Sequence, residues 1–357
     1  MGQDFEQIEL QLIQSLNLAL HLENETSYTH AFNVQADESG FLFIPRLPAS
    51  FTVDSALYDK IFAIASALMY PYYTLLKQNG AFFKPMDTGD FHTRRALYFP
   101  WVKGIAERLV IDDINDFALQ QEEHNLPIMA NYQIDIGKVN HLAIAGESGS
   151  GKSSFLLYLL YLLKDIGSVS ICDPKLDVPS RFARAFDLPL IAPFDVVNKN
   201  DFLASVNAEL SMHVDMIHER QRELYRNPET EFEHCFIVID ELLALSENVN
   251  KAVRDAFQGL LSTIALLGRA TRIHLILVSQ RFDANALSTS TRDQLNMLVQ
   301  LGHINNRTVS FLLPDVDVSG IVIPQGIGAG LIQVIDSEHP VQVMPLLTPT
   351  FKAKGVL

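Results

Sequence analysis

Two periodicities of apolar residues mark the first 125 positions of the chain. Gln7 to Leu22 repeats apolar side chains at helical spacing, and Ala56 to Leu76 does so as far as Pro71. The short continuous run from Phe41 to Ile44 predicts a strand. These mixed signals contain no regular strand–helix alternation. They predict a small α+β domain over residues 1–125.

From about residue 136 the pattern changes to short apolar runs that alternate with longer amphipathic segments. In chain order, the predicted elements are His141–Ala145, Ser153–Lys164, Ser168–Cys172, Phe202–Tyr225, Cys235–Ile239, Lys251–Leu267, Ile273–Val278, Met297–Leu301 and Leu331–Ile335. Strands that alternate with helices predict a mainly parallel sheet covered on both faces, and such sheets bind ligands at the carboxyl ends of their strands. We therefore expect an α/β domain over residues 126–357.

The stretch after the first of these strands fits the phosphate-loop pattern G-x-x-x-x-G-K-[ST]. The predicted nucleotide-binding residues are Gly146, Glu147, Ser148, Gly149, Ser150, Gly151, Lys152, Ser153 and Ser154. Glycines permit a tight loop whose N–H groups point at phosphate oxygens, and the following helix presents its positive end to the same anion. Lys152 is expected to reach the β- and γ-phosphates of ATP, and the Ser153 hydroxyl to ligate Mg²⁺. The alternative is a Gly/Ser-rich turn that happens to precede a helix.

A second candidate element is the apolar run from Phe236 to Ile239, which is followed directly by Asp240 and Glu241. Two adjacent carboxylates at the end of a buried strand are costly unless they are used. Asp240 is expected to hold the Mg²⁺ shell and Glu241 to polarise the attacking water. A further strand ends at Gln280, which we expect to sense the γ-phosphate, although a surface glutamine is an equal alternative.

Several motifs resemble the FtsK/SpoIIIE family of DNA translocases and the related conjugative coupling proteins. The resemblance covers roughly residues 126–357. The matching segments are His141 to Ser153, Asp173-Pro174-Lys175, Glu219-Arg220, Gly268-Arg269-Ala270, Ile273 to Leu277, Ser279-Gln280-Arg281 and the glycine-rich Gly326 to Leu331. The block around residues 268–281 is the most specific, because generic P-loop proteins do not share it.

This resemblance implies a RecA-like P-loop ATPase motor that assembles as a homo-oligomeric ring, commonly a hexamer, with DNA in its channel. ATP would then lie between subunits, and a neighbour would supply an arginine finger, for which Arg269 is the first choice and Arg272 the second. The sequence departs from the family at Phe282, where a proline is usual. Neither a membrane-spanning region nor a winged-helix module is recognisable, so a mobile-element role is expected over chromosome segregation.

Charge limits where DNA is expected to bind. The formal net charge is −15, and residues 1–135 carry 8 Lys/Arg against 18 Asp/Glu, so the first domain should repel a phosphate backbone. The candidate contacts lie in two loops that follow strands, and such contacts would be to the backbone and independent of base sequence. They are Lys251, Arg254, Arg281, Ser290, Thr291 and Arg292. The alternative is a solvated loop with a helix cap.

The remaining sequence features concern location and alternatives. Cys172 and Cys235 lie in predicted buried strands, which is typical of a reducing cytosol. The longest apolar run, Ile61 to Leu76, is shorter than the roughly 20 residues of a membrane span. We expect a cytoplasmic protein that a membrane-anchored partner recruits. Two other functions remain open: a secretion-type ATPase that acts on protein cargo, and a nucleotide-gated scaffold without productive hydrolysis.

Overall fold

The polypeptide folds into two units that are not continuous in sequence. The computed structural model describes residues 5–21, 32–46, 54–122, 124–194, 198–283, 286–336 and 342–353. The first unit comprises Met1–Ala106, Asp315–Pro324 and Val341–Pro345, and the remaining residues, from Glu107 onward, form the second. The expected boundary between residues 125 and 126 therefore differs from this division, which falls earlier and returns two later segments to the first unit.

The first unit has an α+β architecture. Its elements are α1 (Phe5–His21), β1 (Phe32–Asp37), β2 (Gly40–Pro45), α2 (Ser55–Met69), β3 (Tyr73–Leu75), β4 (Lys77–Gln78), β5 (Phe83–Pro85), a 3₁₀ helix (Phe91–Thr93) and β6 (Arg95–Lys103). The antiparallel sheet has the order β1-β2-β6-β3, and β5 also pairs with β6. The end of the first predicted helix, at Leu22, lies outside the described residues.

Aromatic rings form the centre of this unit. The ring of Phe99 stacks on Phe41 at 4.6 Å and on Tyr58 at 4.4 Å between centroids, and all three side chains are almost wholly buried. Phe41 and Phe99 come from β2 and β6, and Tyr58 comes from α2. Ring stacking adds to the free energy gained by burying apolar area, so this cluster fixes α2 on the sheet.

The second unit has an α/β architecture. Its elements are β7 (Val110–Ile111), α3 (Ile114–Leu119), β8 (Asn125–Met129), β9 (Tyr132–Asp135), β10 (Leu142–Gly146), α4 (Lys152–Leu163), β11 (Gly167–Cys172), α5 (Val178–Ala185), β12 (Leu190–Ile191), α6 (Lys199–Arg226), β13 (His234–Ile239), α7 (Leu242–Ser246), α8 (Lys251–Leu267), a 3₁₀ helix (Arg269–Thr271), β14 (Ile273–Ser279), α9 (Thr289–Arg292), β15 (Met297–Leu301), α10 (Asn306–Val309), β16 (Ala329–Val334) and β18 (Thr350–Phe351). β17 (Gln342–Leu347) crosses the division after Pro345.

The main sheet of the second unit is mixed rather than wholly parallel. Its strand order is β12-β11-β13-β14-β10-β15-β16. All neighbours from β12 to β15 are parallel, and β16 runs antiparallel to β15. The predicted α/β class is confirmed. The alternation of strands and helices along the sequence predicts parallel strands, so it does not account for the antiparallel strand β16.

The direction of the crossovers places the candidate phosphate loop. Crossovers between parallel strands are right-handed, so connections that run in opposite directions along a sheet lie on opposite faces. The chain moves from β10 to β11 and β12 through α4 and α5, and then returns through α6 and α8 to β13 and β14. In agreement, α4 contacts α5, and α6 contacts α8. The connection that leaves β10 runs towards β11, whereas the connection that leaves its neighbour β14 runs towards β15. The loop after β10 therefore lies where neighbouring connections leave in opposite directions, which is the usual ligand position in such sheets.

Helix α4 and His141 anchor the strand that carries this loop. Every residue of α4 from Phe155 to Leu163 is buried. At the start of β10, His141 Nδ1 accepts a hydrogen bond from Leu275 N at 3.0 Å, and its Nε2 donates to Ala265 O at 3.1 Å. Both ring nitrogens are thus used by a neutral imidazole, which joins β10 to β14 and α8. Among the described helices, none combines the length and the apolarity that a membrane span requires.

Lowering the pH from 7 to 5 should destabilise the protein through three buried histidines. Burial lowers the pKa of His141 and His234 to about 4 and that of His274 to about 3. The unfolded chain protonates near the ordinary value of about 6.5, so this stabilisation is complete above pH 6.5 and is lost as the pH falls towards 4. Asp240, whose pKa burial raises to about 6, and His213, whose pKa is raised by its contact with Cys235 despite burial, oppose the change.

Urea unfolding at pH 7, 6 and 5 measures this effect, which corresponds to about 1.4 kcal/mol for each unit of pKa difference. His92 is exposed on the 3₁₀ helix of the first unit, so His92→Gln should leave the pH dependence unchanged. A free energy of unfolding that does not fall between pH 7 and pH 5 would contradict the prediction.

Candidate functional site

The phosphate loop is a tight turn that joins β10 to α4. Gly149 and Gly151 have φ values of 81° and 101°, a region that L-residues with a side chain rarely adopt. Gly151 is the residue before the first turn of α4. Residues Glu147 to Gly149 are exposed, whereas Ser150 is buried beneath them. The loop therefore presents its outer side, together with the N-terminus of α4, to solvent.

Lys152 folds back over this loop. Its Nζ donates to Gly146 O, and to Glu147 O at 2.8 Å. Burial lowers the pKa of Lys152, while Glu241 and Asp240 oppose this effect. Ser153 and Ser154, in the first turn of the helix, are exposed. The predicted residues of the phosphate loop are thus brought together as a single strand–loop–helix feature.

A second segment supports the loop from behind. Gly328 N donates to Ser150 O at 3.0 Å, and a Cβ at Gly328 would lie 2.1 Å from Thr348 Oγ1. Arg108 donates to the carbonyl oxygens of Ile327 at 2.7 Å and Thr348 at 2.6 Å. The glycine-rich turn that resembles the FtsK family therefore has a structural reason, because only a residue without Cβ allows this approach.

The two predicted carboxylates lie at the end of β13, which is buried along its whole length. Asp240 is 7% exposed and Glu241 is 4% exposed. Burial and the charge of Asp173 raise the pKa of Asp240 to about 6, against the opposing charges of Lys175 and Lys152. These opposing effects show that five ionisable groups act on one another at this edge of the sheet.

Glu241 is held by two neighbouring strand ends. Its Oε2 lies 2.5 Å from Lys175 Nζ, which follows β11, and 3.5 Å from Gln280 Nε2, which follows β14. Its Oε1 accepts a hydrogen bond from Gln280 N at 3.3 Å. Glu241 itself adopts φ 51°, a left-handed conformation that costs a residue with a side chain about 1–2 kcal/mol. The structure thus places Gln280 against Glu241, and its contact with the γ-phosphate stays a prediction.

The role of Lys175 was missed at the level of sequence, although Asp173-Pro174-Lys175 was noted as a motif. Asp173 is fully buried and accepts hydrogen bonds from Lys175 N at 2.8 Å, Asp177 N at 2.9 Å and Ser180 Oγ at 2.6 Å. Asp173 therefore fixes the loop that carries Lys175. The signal that would have revealed the pair is the position of the motif, which follows the strand next to β13.

These residues fit a nucleoside triphosphate with Mg²⁺. The loop offers exposed backbone at a helix N-terminus, which suits an anion, and the Ser150 hydroxyl is a buried polar group without a hydrogen-bond partner among the described residues. Ser153 and Asp240 would offer oxygen atoms of the kind that Mg²⁺ prefers as ligands. Among the described residues, no group of three or more His, Cys, Asp or Glu side chains is arranged to hold a metal ion by itself.

Arg269 lies at the opposite end of the parallel strands from the phosphate loop. It begins the 3₁₀ helix that leads into β14, and β14 runs parallel to β10, so Arg269 precedes one strand while the phosphate loop follows the other. The two are separated by about the length of a strand, roughly 20 Å. The Arg269 side chain is exposed, forms no hydrogen bond or ion pair within the described part of the chain, and borders a cavity of about 710 Å³.

Two nearby arginines have structural roles instead. Arg272 Nη1 donates to Phe232 O at 2.9 Å. Arg220, on α6, donates to Glu233 O at 2.9 Å and to Thr271 O at 2.6 Å. Arg220 therefore ties the approach to β13 to the turn before β14, and Arg272 is engaged within its own chain, which favours Arg269 as a group free to reach outward.

The first group of predicted DNA contacts lies at the same sheet edge as the phosphate loop. Lys251 is exposed and Arg254 is half-buried in the first turns of α8. In the other loop, Arg281 is exposed and pairs with Asp283 at 2.8 Å, and Ser290 is exposed.

The structure argues against the other two predicted contacts. Thr291 is fully buried, with its hydroxyl 2.8 Å from Ser288 Oγ. The Arg292 guanidinium donates to Phe311 O at 2.9 Å and to Phe282 O at 3.3 Å. Both side chains hold their own loop together, so the interpretation of them as DNA contacts is corrected.

The fold and the site define an α/β protein with a P-loop. No protein-family model matches the chain. In sequence it is 28% identical over 217 residues to the FtsK domain-containing protein YdcQ of Bacillus subtilis (strain 168), which covers 59% of this chain and 43% of that protein. It is 27% identical over 208 residues to the DNA translocase FtsK of Helicobacter pylori (strain J99), which covers 54% and 24%. The resemblance to FtsK-type proteins is thus confirmed, and the chain spans less than half the length of either relative.

Among solved structures, the conjugation coupling protein TcpA of pCW3, in its monomer form with ATPgS, is similar over 96% of this chain and 94% of that chain. The TM-score is 0.54 and the sequence identity is 18%. At this identity the similarity concerns the fold, and it supports the assignment of the α/β P-loop class.

Two glycine-to-alanine changes should have opposite effects. Gly151→Ala places a Cβ 3.0 Å from Gly328 N in a left-handed backbone conformation, so it should destabilise the protein by about 1–2 kcal/mol and abolish nucleotide binding. Gly259 is exposed within α8, and a Cβ there meets nothing within 4 Å. Gly259→Ala should therefore stabilise by about 0.5–1 kcal/mol.

Urea unfolding and the binding of a fluorescent ATP analogue measure both effects. Normal nucleotide affinity in the Gly151→Ala variant would show that the loop does not need this backbone conformation.

Proposed function

We propose that the chain is an ATP-hydrolysing motor of the DNA translocase or coupling type, which moves DNA through a ring, for a mobile element. The observation that carries the proposal is the buried pair Asp240–Glu241, which meets Lys152 and Gln280 at one sheet edge. The names of the relatives supply the substrate class, since both sequence relatives are FtsK-type and one is a DNA translocase.

The roles of the residues follow from their positions. The phosphate loop and Lys152 bind the triphosphate, and Ser153 and Asp240 hold Mg²⁺, which would neutralise charge that develops during phosphoryl transfer. Glu241 orients and polarises water, because its carboxylate lies at the same edge and Gln280 N fixes one of its oxygens. Ser148, Gly149 and Ser154 complete the exposed rim that contacts phosphate.

A RecA-like ring, commonly a hexamer, explains the position of Arg269. Arg269 is separated from the phosphate loop of its own chain by the length of a strand. It could therefore act in catalysis only at the phosphate loop of a neighbouring subunit. Its exposed guanidinium would then offset phosphoryl charge in trans. DNA would contact Lys251, Arg254, Arg281 and Ser290 through its backbone, and repetition around the ring would strengthen weak contacts on an acidic protein. We place this motor in the cytoplasm, where a membrane-anchored partner recruits it.

ATP turnover, measured with and without double- and single-stranded DNA at low salt, tests the proposal directly. Lys152→Ala and Glu241→Gln should each lower kcat at least about a hundredfold, because each removes a group that acts in the transition state. DNA should stimulate the wild type and neither variant. Turnover that ignores DNA would favour a protein cargo, and ATP binding without turnover would favour a scaffold.

Mixing two inactive variants tests the trans role of Arg269. Arg269→Ala keeps its phosphate loop, and Lys152→Ala keeps its arginine, so a mixture should regain part of the activity that each protein lacks alone. Arg226 is also exposed, on α6, so Arg226→Ala is the matched control and should stay active. An Arg269→Ala variant with wild-type turnover, or a mixture that regains nothing, would contradict the assignment.

A further inference from the structure

The ion pair between Lys175 and Glu241 joins two side chains of unequal freedom. Lys175 Nζ lies 2.5 Å from Glu241 Oε2, and the side chains are 46% and 5% exposed. The glutamate is therefore enclosed, while the lysine approaches it from the solvent side on a flexible stem. Breaking this pair requires movement of Lys175 alone.

The backbone beneath Lys175 is rigid. Asp173, which is fully buried, accepts hydrogen bonds from Lys175 N, Asp177 N and the Ser180 hydroxyl. A buried carboxylate with this number of charge-assisted hydrogen bonds holds its loop in one conformation. The motif Asp173-Pro174-Lys175 thus combines a backbone held in one conformation with a side-chain ammonium group that can move.

This ammonium group lies at the same edge of the sheet as the phosphate loop. Lys175 follows β11, Glu241 follows β13 and the phosphate loop follows β10, so all three lie at the carboxyl ends of parallel strands in one sheet. An additional anion at the loop would compete with Glu241 for this ammonium. The terminal phosphate is the competitor that distinguishes a nucleoside triphosphate from a diphosphate.

We propose that Lys175 senses the terminal phosphate and thereby controls Glu241: its ammonium exchanges the Glu241 carboxylate for the terminal phosphate of a bound nucleoside triphosphate. The exchange releases Glu241 Oε2 from Lys175 and leaves it only the contact with Gln280 Nε2 at 3.5 Å. Glu241 keeps its orientation because Oε1 still accepts from Gln280 N at 3.3 Å. Lys175 is then a positioning residue that makes the water-orienting carboxylate available only when a triphosphate is present. This inference rests on the proposed function.

Equilibrium affinities for ATPγS and ADP, measured with Mg²⁺ and without turnover, test the exchange. Lys175→Ala should weaken ATPγS binding several-fold and leave ADP affinity nearly unchanged. The loss is smaller than that of a whole charged hydrogen bond, because the Glu241 contact that the phosphate replaces is removed as well. Glu241→Gln removes the competitor, so it should tighten ATPγS binding several-fold without tightening ADP. In the double variant Lys175→Ala/Glu241→Gln that gain should vanish, because the two changes act through one contact.

Two controls separate sensing from a structural role. Lys352→Ala breaks an exposed pair with Asp112 at 3.0 Å and should change neither affinity. Lys175→Met keeps much of the stem without the charge and should reproduce the alanine result if the alanine variant loses stability.

Equal weakening of ATPγS and ADP by Lys175→Ala, or a Glu241→Gln gain that persists without Lys175, would overturn the exchange and leave the proposed function intact. A wild-type protein that binds neither nucleotide would overturn both.

Discussion

The arrangement of the site depends on keeping two adjacent carboxylates stable at the end of a buried strand. Asp240 and Glu241 are each less than a tenth exposed, and charges in such surroundings need compensation. Compensation comes from the ammonium groups of Lys152 and Lys175, which belong to different loops of the same sheet edge. The phosphate loop, the loop after β11 and the tip of β14 are all held where these charges require them.

Strand register supplies the geometry for this compensation. Cys172 lies opposite Ile239 in the pair β11·β13, and Ile239 lies opposite Leu277 in β13·β14. Parallel strands in this register end close together, so the residues that follow them, Asp173, Asp240 and Gln280, meet without long connections. The pairing of the strands therefore sets the positions of these side chains, and the loops between strands and helices add only short extensions.

Local pattern was enough to predict the parts of the site that lie within one continuous segment. The phosphate loop and the pair Asp240–Glu241 are of this kind, since each motif contains its own strand end. Contacts between residues that lie far apart in the sequence were not predictable. Arg220 was noted only as part of a motif and Arg292 was predicted to contact DNA. Both donate to carbonyl oxygens instead, because arginine donors satisfy buried backbone as readily as they bind phosphate.

The α/β class could be predicted for the same reason as the motifs, because alternating apolar runs reflect burial along each element. The two-unit division could not, since Asp315–Pro324 returns to the first unit from far along the chain. Its contact is specific: a Cβ at Gly320 would lie 2.7 Å from Ala63 Cα. A single glycine in a stretch of mixed acidic and aliphatic residues carries no signal of such long-range packing.

Helix α4 has a mechanical consequence. From Phe155 to Leu163 it has no face in solvent, and close-packed interiors resist compression and transmit strain. A helix on the surface can absorb a push at its first turn by tilting into water. α4 has no such room, so a displacement of Lys152 is passed on as a shift of the surrounding helices and strands. Helix α4 therefore behaves as a rigid element that transmits displacements of the phosphate loop to its neighbours in the second unit.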